Sequence, residues 1–296
     1  MIKTQGLTKV FKIGKKQETE LLAVEDLSLE VDSGEVFGFL GPNGAGKTTT
    51  VRMLTGLIRP SSGTAQIAGF ELGRQDTQIR RSVGILTESP GMYERLSAEK
   101  NLTIFANLYD VPDVPGAVNK YLSMLGLWER RYDAVGSFSK GMRQKLAVAR
   151  ALIHEPQILF LDEPTTGLDP EAAKTVRDFI EELKGEGRTI FMTTHNLAEA
   201  ERLCDRVAIF KQKLITLDSP ANLREEMFGR RVVFHLREMN PLWADLVAQL
   251  PETDGVESVD NKLIVTLQDP ESTNPLIIKT LVQAGAEIQF VGEIRH

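Results

Sequence analysis

A glycine-rich stretch, GPNGAGKTT at residues 41–49, follows a predicted strand at 35–40 and opens a predicted helix. The glycines let the backbone turn tightly, so that successive N–H groups can point at phosphate oxygens, and the helix N terminus adds partial positive charge. The ammonium of Lys47 would reach the terminal phosphates of a nucleotide, and the hydroxyl of Thr48 would ligate Mg²⁺. A chance match to the pattern would lack the flanking strand and helix. We therefore predict nucleotide binding by Gly41, Pro42, Asn43, Gly44, Ala45, Gly46, Lys47, Thr48 and Thr49.

Two adjacent carboxylates, Asp162 and Glu163, end an apolar run at 158–161 that is typical of a parallel strand buried on both faces. Ligands of open α/β sheets bind at the carboxyl ends of strands, which is where this pair falls. Because neighbouring side chains on a strand point to opposite faces, the two should differ in role. Asp162 is placed to hold Mg²⁺ through its water shell, and Glu163 to polarise an attacking water. The alternative is that both carboxylates merely end the strand and face solvent.

Two further polar residues follow predicted strands. His195 ends the run TIFMTTH at 189–195, so its ring could reach a γ-phosphate or the attacking water. The alternative for His195 is an ordinary surface histidine. Asp169, followed by Pro170, has the pattern of a helix N-cap with proline at the first helical position, which requires no functional role.

The stretch SFSKGMRQKLAVARA at 137–151 predicts a loop running into a helix, with Ser139, Lys140 and Gly141 at the junction. It contains no carboxylate, histidine or cysteine, yet it directly precedes the strand that ends in the paired carboxylates. A plain N-capped amphipathic helix would explain Ser139 but not the glycine. The start of the helix predicts a second anion-binding end.

Positioning these residues requires an α/β scaffold. Short apolar runs alternate with helical patterns, which predicts a largely parallel sheet over the first 220 residues. The runs lie at 27–31, 35–40, 82–86, 157–163, 189–194 and 206–210. Residues from about 94 to 155 are mostly helical and predict a helical insertion between two strands of the sheet.

The tail, residues 231–296, predicts a small α+β domain after a linker at 223–230. Its pattern is strand, helix, strand, strand, helix, strand, which is the ferredoxin-like order. The first predicted helix has apolar residues at helical spacing, namely Leu242, Leu246, Val247 and Leu250, and the second helix is predicted at 274–286. Two interpretations stay open: a small domain packed on its own core, or a module that pairs with its counterpart and tethers two subunits.

Composition is that of an ordinary globular protein, with 296 residues, 42% of them hydrophobic and 26% charged. The net charge of −6 argues against a nucleic-acid partner. The single cysteine, Cys204, excludes an internal disulfide and is typical of a small core residue in a reducing compartment. No apolar run reaches the length of a membrane span, and residues 1–12 lack a signal-peptide pattern, so we expect a soluble, cytoplasmic chain.

Four motifs in a fixed order resemble those of the ATP-binding subunit of an ABC transporter: GPNGAGKTT, FSKGMRQKL, ILFLDEPTTGLDP and TTH. The resemblance covers residues 1 to about 220. It implies a P-loop ATPase domain at 1–222, with an antiparallel β part near the N terminus and a helical subdomain at about 94–155. The ligands it implies are ATP and Mg²⁺. Glu163 and His195 would then be catalytic, and Asp169 would lie among the nucleotide-binding residues.

In that family the segment that corresponds to FSKGM closes over ATP bound to the other subunit of a head-to-tail pair. Ser139 and Gly141 would therefore bind the partner's nucleotide, in an isologous dimer with two shared sites. The commoner family sequence here is Leu-Ser-Gly-Gly-Gln, so Phe138, Lys140 and Met142 are departures from it.

Two more residues are matched to family positions. Glu88 stands where the family usually has a glutamine ligand for Mg²⁺, and a carboxylate can ligate the ion equally well. Phe11 stands where the family stacks an aromatic ring on adenine, the alternative being a core phenylalanine.

The resemblance also implies two partners, a second copy or a homologous ATPase subunit, and a membrane-spanning transporter subunit. The latter would dock near residues 89–102, where Met92 and Tyr93 suit a groove for a helix unless both are core. The chain would then lie on the cytoplasmic face of the membrane through this partner. The stretch SKGMRQKL and the short tail resemble those of bacterial exporter subunits, including drug, antibiotic and ion efflux systems.

Two rival functions are weaker. ABC-type ATPases that act on ribosomes or DNA usually carry two ATPase units or a long coiled-coil insertion, and this sequence has neither. A P-loop kinase would leave Glu163, His195 and the stretch at 137–151 unexplained.

Overall fold

The computed structural model of the protein describes residues 1–13, 19–87, 91–228 and 230–294, with the side chains of 225–228 outside the description. The chain divides into two compact units, Met1–Pro220 and Ala221–His296. The strands of the first unit are β1 (Ile2–Ile13), β2 (Thr19–Val31), β3 (Val36–Leu40), β4 (Ser62–Ile67), β5 (Phe70–Glu71), β6 (Val83–Leu86), β7 (Ile158–Asp162), β8 (Thr189–Thr194), β9 (Arg206–Lys211) and β10 (Lys213–Asp218). Its helices are α1 (Lys47–Leu54), α2 (Asp76–Ser82), α3 (Ala98–Leu108), α4 (Val114–Met124), α5 (Lys140–Leu152), α6 (Pro170–Gly185) and α7 (Leu197–Leu203).

The main sheet of this unit has the order β10-β9-β3-β8-β7-β6. The predicted parallel pairing is present, because β3 lies between β8 and β9, and β7 lies between β6 and β8, all in parallel. Only β10, which follows β9 after a single residue, runs antiparallel to it. Every residue of β7 and β8 is buried, as expected for parallel strands covered on both faces. The sheet thereby brings the carboxyl ends of β3, β7 and β8 to one edge.

A second sheet, with the order β2-β1-β4-β5, is antiparallel throughout. Its apolar residues share one core cluster with β3, α1, β7 and β8. Stacked and tilted phenylalanine rings run through the main sheet, with centroids 4.5 Å apart for Phe39 and Phe210 and 5.5 Å apart for Phe160 and Phe191. Burial of such rings removes a large apolar area from water and stabilises the fold.

Helices α3, α4 and α5 form the predicted helical insertion between β6 and β7. Each begins at a side chain that accepts a hydrogen bond from the first turn: Ser97 from Lys100 N at 3.2 Å, Asp113 from Gly116 N at 3.0 Å, and Ser139 from Met142 N at 3.2 Å. Such caps satisfy backbone donors that have no partner within the helix. The insertion places Ser139 at the start of α5.

The second unit begins within α8 (Pro220–Phe228). It continues with β11 (Arg230–Leu236), α9 (Pro241–Ala248), β12 (Thr253–Val259), β13 (Lys262–Leu267), α10 (Pro270–Gln283) and β14 (Ile288–Glu293). Its sheet is antiparallel, with the order β12-β13-β11-β14. Alternate residues of β11, namely Val232, Phe234 and Leu236, point into a separate core with residues of α9, β13 and α10.

Three expectations for the tail were wrong in detail. The predicted linker at 223–230 is helical as far as Phe228, as part of α8. Helix α9 buries Val247 and leaves Leu242 and Leu246 exposed, because Trp243 and Ala244 supply its inner face instead. Helix α10 begins at Pro270, before the predicted 274, since Asp269 caps it and Pro270 occupies its first position.

Candidate functional site

The loop between β3 and α1 is shaped by glycines. Gly46 has φ of +102°, and a Cβ there would lie 2.2 Å from the Ala23 carbonyl oxygen, so no other residue fits. At Gly41 a Cβ would lie 2.2 Å from the Phe210 carbonyl oxygen. Among the described residues, no side chain caps the start of α1. The first N–H groups of this helix therefore face the loop as anion-binding donors.

The loop forms one wall of a cleft of about 490 Å³. The cleft is lined by Phe11, Leu21, Leu22, Ala23, Pro42, Asn43, Gly44, Ala45, Gly46, Lys47, Thr48, Thr49, Glu163, Thr166, His195 and Gln212. The structure thus brings the glycine-rich loop, Glu163 and His195 together, as predicted, although the loop lies more than 100 residues before the other two in the sequence. A nucleoside triphosphate is the ligand whose size and charge suit such a cleft.

Glu163 is held in an unusual backbone conformation immediately after β7. Its φ is +51°, a left-handed value that costs free energy for a residue with a Cβ and is found mostly at functional sites. Its N–H donates to the hydroxyl and the carbonyl oxygen of Thr193 on β8, at 3.1 and 3.2 Å. These bonds turn the side chain out of the sheet and into the cleft. The carboxylate is 8% exposed, which excludes the solvent-facing alternative.

The Glu163 carboxylate has three neighbours. Oε2 accepts a hydrogen bond from the Thr166 hydroxyl at 2.8 Å and lies 2.9 Å from Nδ1 of His195. Oε1 lies 3.1 Å from Nζ of Lys47 as an ion pair, and no donor in the described part of the chain is aligned to hydrogen-bond it. A buried carboxylate oxygen without a donor is a place where a polar ligand or water is expected to bind. His195, which is half-exposed, is engaged with Glu163 rather than being an ordinary surface histidine.

The Lys47 ammonium lines the cleft and is held by oxygen atoms of the chain. It donates to the carbonyl oxygens of Gly41 and Pro42 at 2.6 and 3.2 Å, in addition to its ion pair with Glu163. Both charged groups are more than 90% buried. A phosphate group entering beside Lys47 would therefore meet a cation that is already desolvated and oriented.

Asp162 is the last residue of β7 and is 1% exposed. Its Oδ1 accepts a hydrogen bond from the Thr193 hydroxyl at 2.6 Å. A buried carboxylate needs a cation or several donors to offset its desolvation, which fits a divalent metal ion nearby. Thr48 lines the cleft, whereas Asp162 does not. Glu88, the third predicted metal ligand, falls outside the described residues.

Four predicted binding residues do not line this cleft: Gly41, Ser139, Gly141 and Asp169. The side-chain oxygen of Ser139 caps α5 by accepting a hydrogen bond from Met142 N. The proton of the Ser139 hydroxyl is therefore still available for donation. Asp169 caps α6 by accepting from Ala172 N at 2.9 Å, with Pro170 in the first position, as the structural interpretation predicts. The cleft of one chain therefore contains only part of the set of nucleotide-binding residues predicted from the sequence.

Phe11 lines the cleft together with Leu21, its partner across the β1–β2 ladder. Its ring is partly exposed, with the Lys9 ammonium 5.0 Å from its centroid. This excludes the core alternative. An exposed aromatic edge next to the phosphate-binding loop is a suitable surface for a planar base.

Sequence reasoning missed several residues of the site: Thr166, Thr193, Gln212 and the β2 segment 21–23. Thr193 donates a hydrogen bond to Asp162 on the neighbouring strand, and Thr166 donates one to Glu163 three residues earlier, contacts that sequence patterns do not reveal. Gln212 lies at the turn between β9 and β10 with φ of +62°, and its N–H donates to the Ala45 carbonyl oxygen at 2.8 Å. The polar pair Thr193 and Thr194, directly after an apolar run, was the available signal.

Comparison with known proteins gives one consistent family. Residues 24–166 match the sequence family described as ABC transporter. The chain is 41% identical over 233 residues to the fluoroquinolones export ATP-binding protein of Mycobacterium tuberculosis, covering 78% of this chain and 75% of that protein. It is 35% identical over 281 residues to the daunorubicin resistance ATP-binding protein DrrA3 of Streptomyces coeruleorubidus, covering 94% and 89%. Among solved structures, the dimeric structure of a bacterial ABC transporter cassette superposes with a TM-score of 0.68 and 25% identity, over 74% of this chain and 99% of that one.

Proposed function

The chain belongs to the ATP-binding proteins of the ABC transporter family and is an ABC ATPase, and from that premise we propose that it powers a membrane exporter. ATP binding would close two subunits over two nucleotides, and hydrolysis would reopen them. The observation that carries the proposal is the cleft in which Glu163, Lys47 and His195 converge on the phosphate-binding loop. The named export and drug-resistance relatives support export as the direction of transport.

The phosphates of ATP are proposed to lie against residues 41–49, with Lys47 beside the terminal phosphates and Phe11 against adenine. Thr48 and Asp162 would hold Mg²⁺, with Glu88 as a third ligand. When bound, the ion supplies positive charge against the phosphate oxygens. This proposal is supported by the desolvated Lys47 ammonium and by the buried carboxylate of Asp162.

Glu163 is proposed as the residue that polarises the attacking water. The donor-free Oε1 is the atom that would accept a proton from the water, while Thr166 and His195 orient Oε2. Polarisation requires Lys47 to leave its ion pair with Glu163 and turn to the phosphate, so the two charges separate when ATP binds. His195 would then bridge Glu163 and the terminal phosphate.

A second copy is proposed to complete the site. Ser139 and Gly141 stand at the start of α5 and do not line the cleft of their own chain, so they are available to another chain's nucleotide. Asp169 would contact the nucleotide at the same interface. The dimeric cassette among the solved structures supports an arrangement of this kind.

A membrane-spanning subunit is proposed to dock on the segment 89–102, of which 91–102 is described. Asn101 is fully buried and fixes this segment, because its side chain accepts from Tyr93 N at 2.9 Å and donates to the carbonyl oxygens of Tyr93, Leu96 and Ser97. Tyr93 itself is 53% exposed, and Met92 is partly exposed. A rigid segment that presents a tyrosine suits a partner helix. Within the described residues, no helix is long and apolar enough to cross a membrane.

The partner proposal predicts that Tyr93→Glu removes the membrane subunit while leaving the ATPase intact. A charge at the centre of an apolar contact is unfavourable, and Tyr93 does not line the cleft. We expect the membrane protein that co-purifies with the tagged wild-type chain in mild detergent to fall at least about tenfold with Tyr93→Glu. Leu57→Glu is the matched control, since Leu57 is also 53% exposed. Equal recovery with both variants would contradict docking at this segment.

If a membrane-spanning subunit docks in this way, the chain is attached through that subunit to the cytoplasmic face of the membrane. A soluble ABC-type ATPase acting on ribosomes or DNA is the weaker candidate, since the relatives named above are export and resistance proteins and the net charge is −6.

The second unit is proposed to be a ferredoxin-like domain that tethers two subunits. The element order β11-α9-β12-β13-α10-β14 and the sheet order β12-β13-β11-β14 support the fold assignment. Tethering is supported by exposed apolar side chains on the face of the sheet opposite the helices. On the central strand β11, His235 lies opposite Phe290 of β14 on one side and Lys262 of β13 on the other. Lys262 in turn lies opposite Val259 of β12, so the four residues form one row across the sheet. Phe290 and Val259 are both more than half exposed.

The tethering proposal predicts that Phe290→Asp makes the ATPase more sensitive to dilution. A tether raises the effective concentration of the second ATPase unit, and replacing the exposed ring by a charge would remove that advantage. We expect the protein concentration for half-maximal specific activity to rise by on the order of tenfold or more. Leu242→Asp is the control, because Leu242 is exposed on α9, away from this row. Dilution curves that coincide for Phe290→Asp and the wild type would favour a domain that serves only its own chain.

A further inference from the structure

Glu199 is a buried carboxylate close to the cleft that has no part in the function proposed above. It lies in the first turn of α7 and is 6% exposed. It does not line the cleft. Both of its oxygens accept hydrogen bonds from threonine hydroxyls, Oε1 from Thr165 at 2.5 Å and Oε2 from Thr194 at 2.8 Å. Each hydroxyl comes from a different segment of the chain.

These two segments carry the cleft side chains that act on water. Thr165 lies two residues after Glu163, and the next residue, Thr166, donates to Glu163 Oε2. Thr194 is the last residue of β8 and immediately precedes His195. The Thr194 carbonyl oxygen also accepts from Gly41 N at 3.2 Å, at the start of the phosphate-binding loop. One carboxylate therefore bridges the segments that follow β7 and end β8.

Helix capping does not account for these contacts. An acidic residue in the first turn of a helix usually reaches back to the backbone N–H of the N-cap residue. Here the N-cap is Asn196, and its N–H donates instead to the Thr194 hydroxyl oxygen at 3.0 Å. The side chain of Asn196 caps the helix by itself, by accepting from Ala198 and Glu199 N. The carboxylate of Glu199 is left for the two threonines.

We propose that Glu199 is a positioning residue for hydrolysis, which holds Glu163 and His195 in register by fixing Thr165 and Thr194. The inference rests on the proposed roles of Glu163 and His195. Hydrogen bonds to a carboxylate are short and strong. If the buried carboxylate is removed, both segments lose these bonds and are free to shift. A shift on the order of 1 Å at a reacting group lowers turnover strongly without a change in ground-state binding.

Turnover and binding are to be measured for Glu199→Ala and Glu199→Gln. For Glu199→Ala we expect kcat to fall by on the order of 10- to 100-fold, with the KM for ATP and the Kd for a nonhydrolysable ATP analogue within about twofold of the wild type. Glu199→Gln is expected to retain most of the turnover, because its amide can accept from one hydroxyl and donate to the other. Thr165→Val and Thr194→Val each remove one hydroxyl at nearly constant volume, and are expected to lower kcat less than Glu199→Ala does.

The same variants are then combined with Glu163→Gln. If Glu199 acts by placing Glu163, Glu199→Ala is expected to lower the residual rate of Glu163→Gln by less than about twofold. A purely structural role would lower both rates by the same factor, and that result would overturn the proposal. It would also be overturned by normal kcat for Glu199→Ala, or by normal kcat for both valine variants if Glu199→Ala does not fold. A failure of the proposed function would be visible separately, as normal turnover of Glu163→Gln alone.

Discussion

Glu163→Gln is expected to lower kcat for ATP hydrolysis by on the order of 10²- to 10⁴-fold while ATP binding is retained. The amide keeps the size of the side chain and can still accept from Thr166, so the cleft keeps its shape. It cannot take a proton from water at Oε1, which is the oxygen without an aligned donor. Steady-state hydrolysis and equilibrium binding of a fluorescent ATP analogue would measure the two effects on one preparation.

Glu186→Gln is the matched control, because Glu186 also forms an ion pair, with Arg188, but does not line the cleft. It should hydrolyse ATP at the wild-type rate. Near-normal turnover of Glu163→Gln would remove Glu163 from the mechanism, and loss of ATP binding would show that its ion pair with Lys47 serves the structure of the loop instead.

Ser139→Arg is expected to abolish hydrolysis without weakening nucleotide binding to the single chain. Ser139 does not line the cleft of its own chain, so its loss leaves that cleft unchanged. An arginine at the start of α5 would obstruct the partner's nucleotide. Loss of the N-cap costs about 1 kcal/mol, which is too little to unfold the chain. Ser97→Arg, which removes the matching cap of α3, is expected to keep its ATPase activity and thereby controls for the lost cap.

Mixing two inactive variants tests by complementation whether Ser139 acts on the nucleotide of the other chain. Ser139→Arg has an intact phosphate-binding loop, and Lys47→Ala has an intact start of α5, so a heterodimer of the two has one complete composite site. We expect ATPase activity to reappear in the mixture, although each variant alone is inactive. If Ser139→Arg abolished nucleotide binding to the single chain, the assignment across the dimer would be wrong.

The buried strands of the main sheet and the phosphate-binding loop could be predicted from short stretches of sequence. The buried strands β3, β7 and β8 were visible as apolar runs, and the glycine-rich loop was visible because only glycine fits at positions such as Gly46. The carboxyl-end rule for open sheets then placed Glu163 and His195 at one edge, and the structure has them 2.9 Å apart.

Tertiary contacts account for what the sequence did not reveal. Strand β10 is a partly exposed edge strand without a clear alternation, and α9 buries Val247 rather than Leu242, because β13 and α10 decide which face of the helix is covered. The same holds for the network around Glu163, since spacing along the chain does not show that Glu199 bridges Thr165 and Thr194.

Cross-linking between Ser139→Cys and Asn43→Cys, combined in one chain with Glu163→Gln, tests most directly the claim that two chains share ATP head to tail. The native Cys204 does not compete, because it is buried and burial raises the pKa of its thiol to about 12. With Mg·ATP and a short bis-maleimide, we predict a covalent dimer of twice 32.9 kDa. It should form only in the double-cysteine variant, and not with ADP. A cross-link confined to single chains, or a dimer yield independent of ATP, would contradict the shared site.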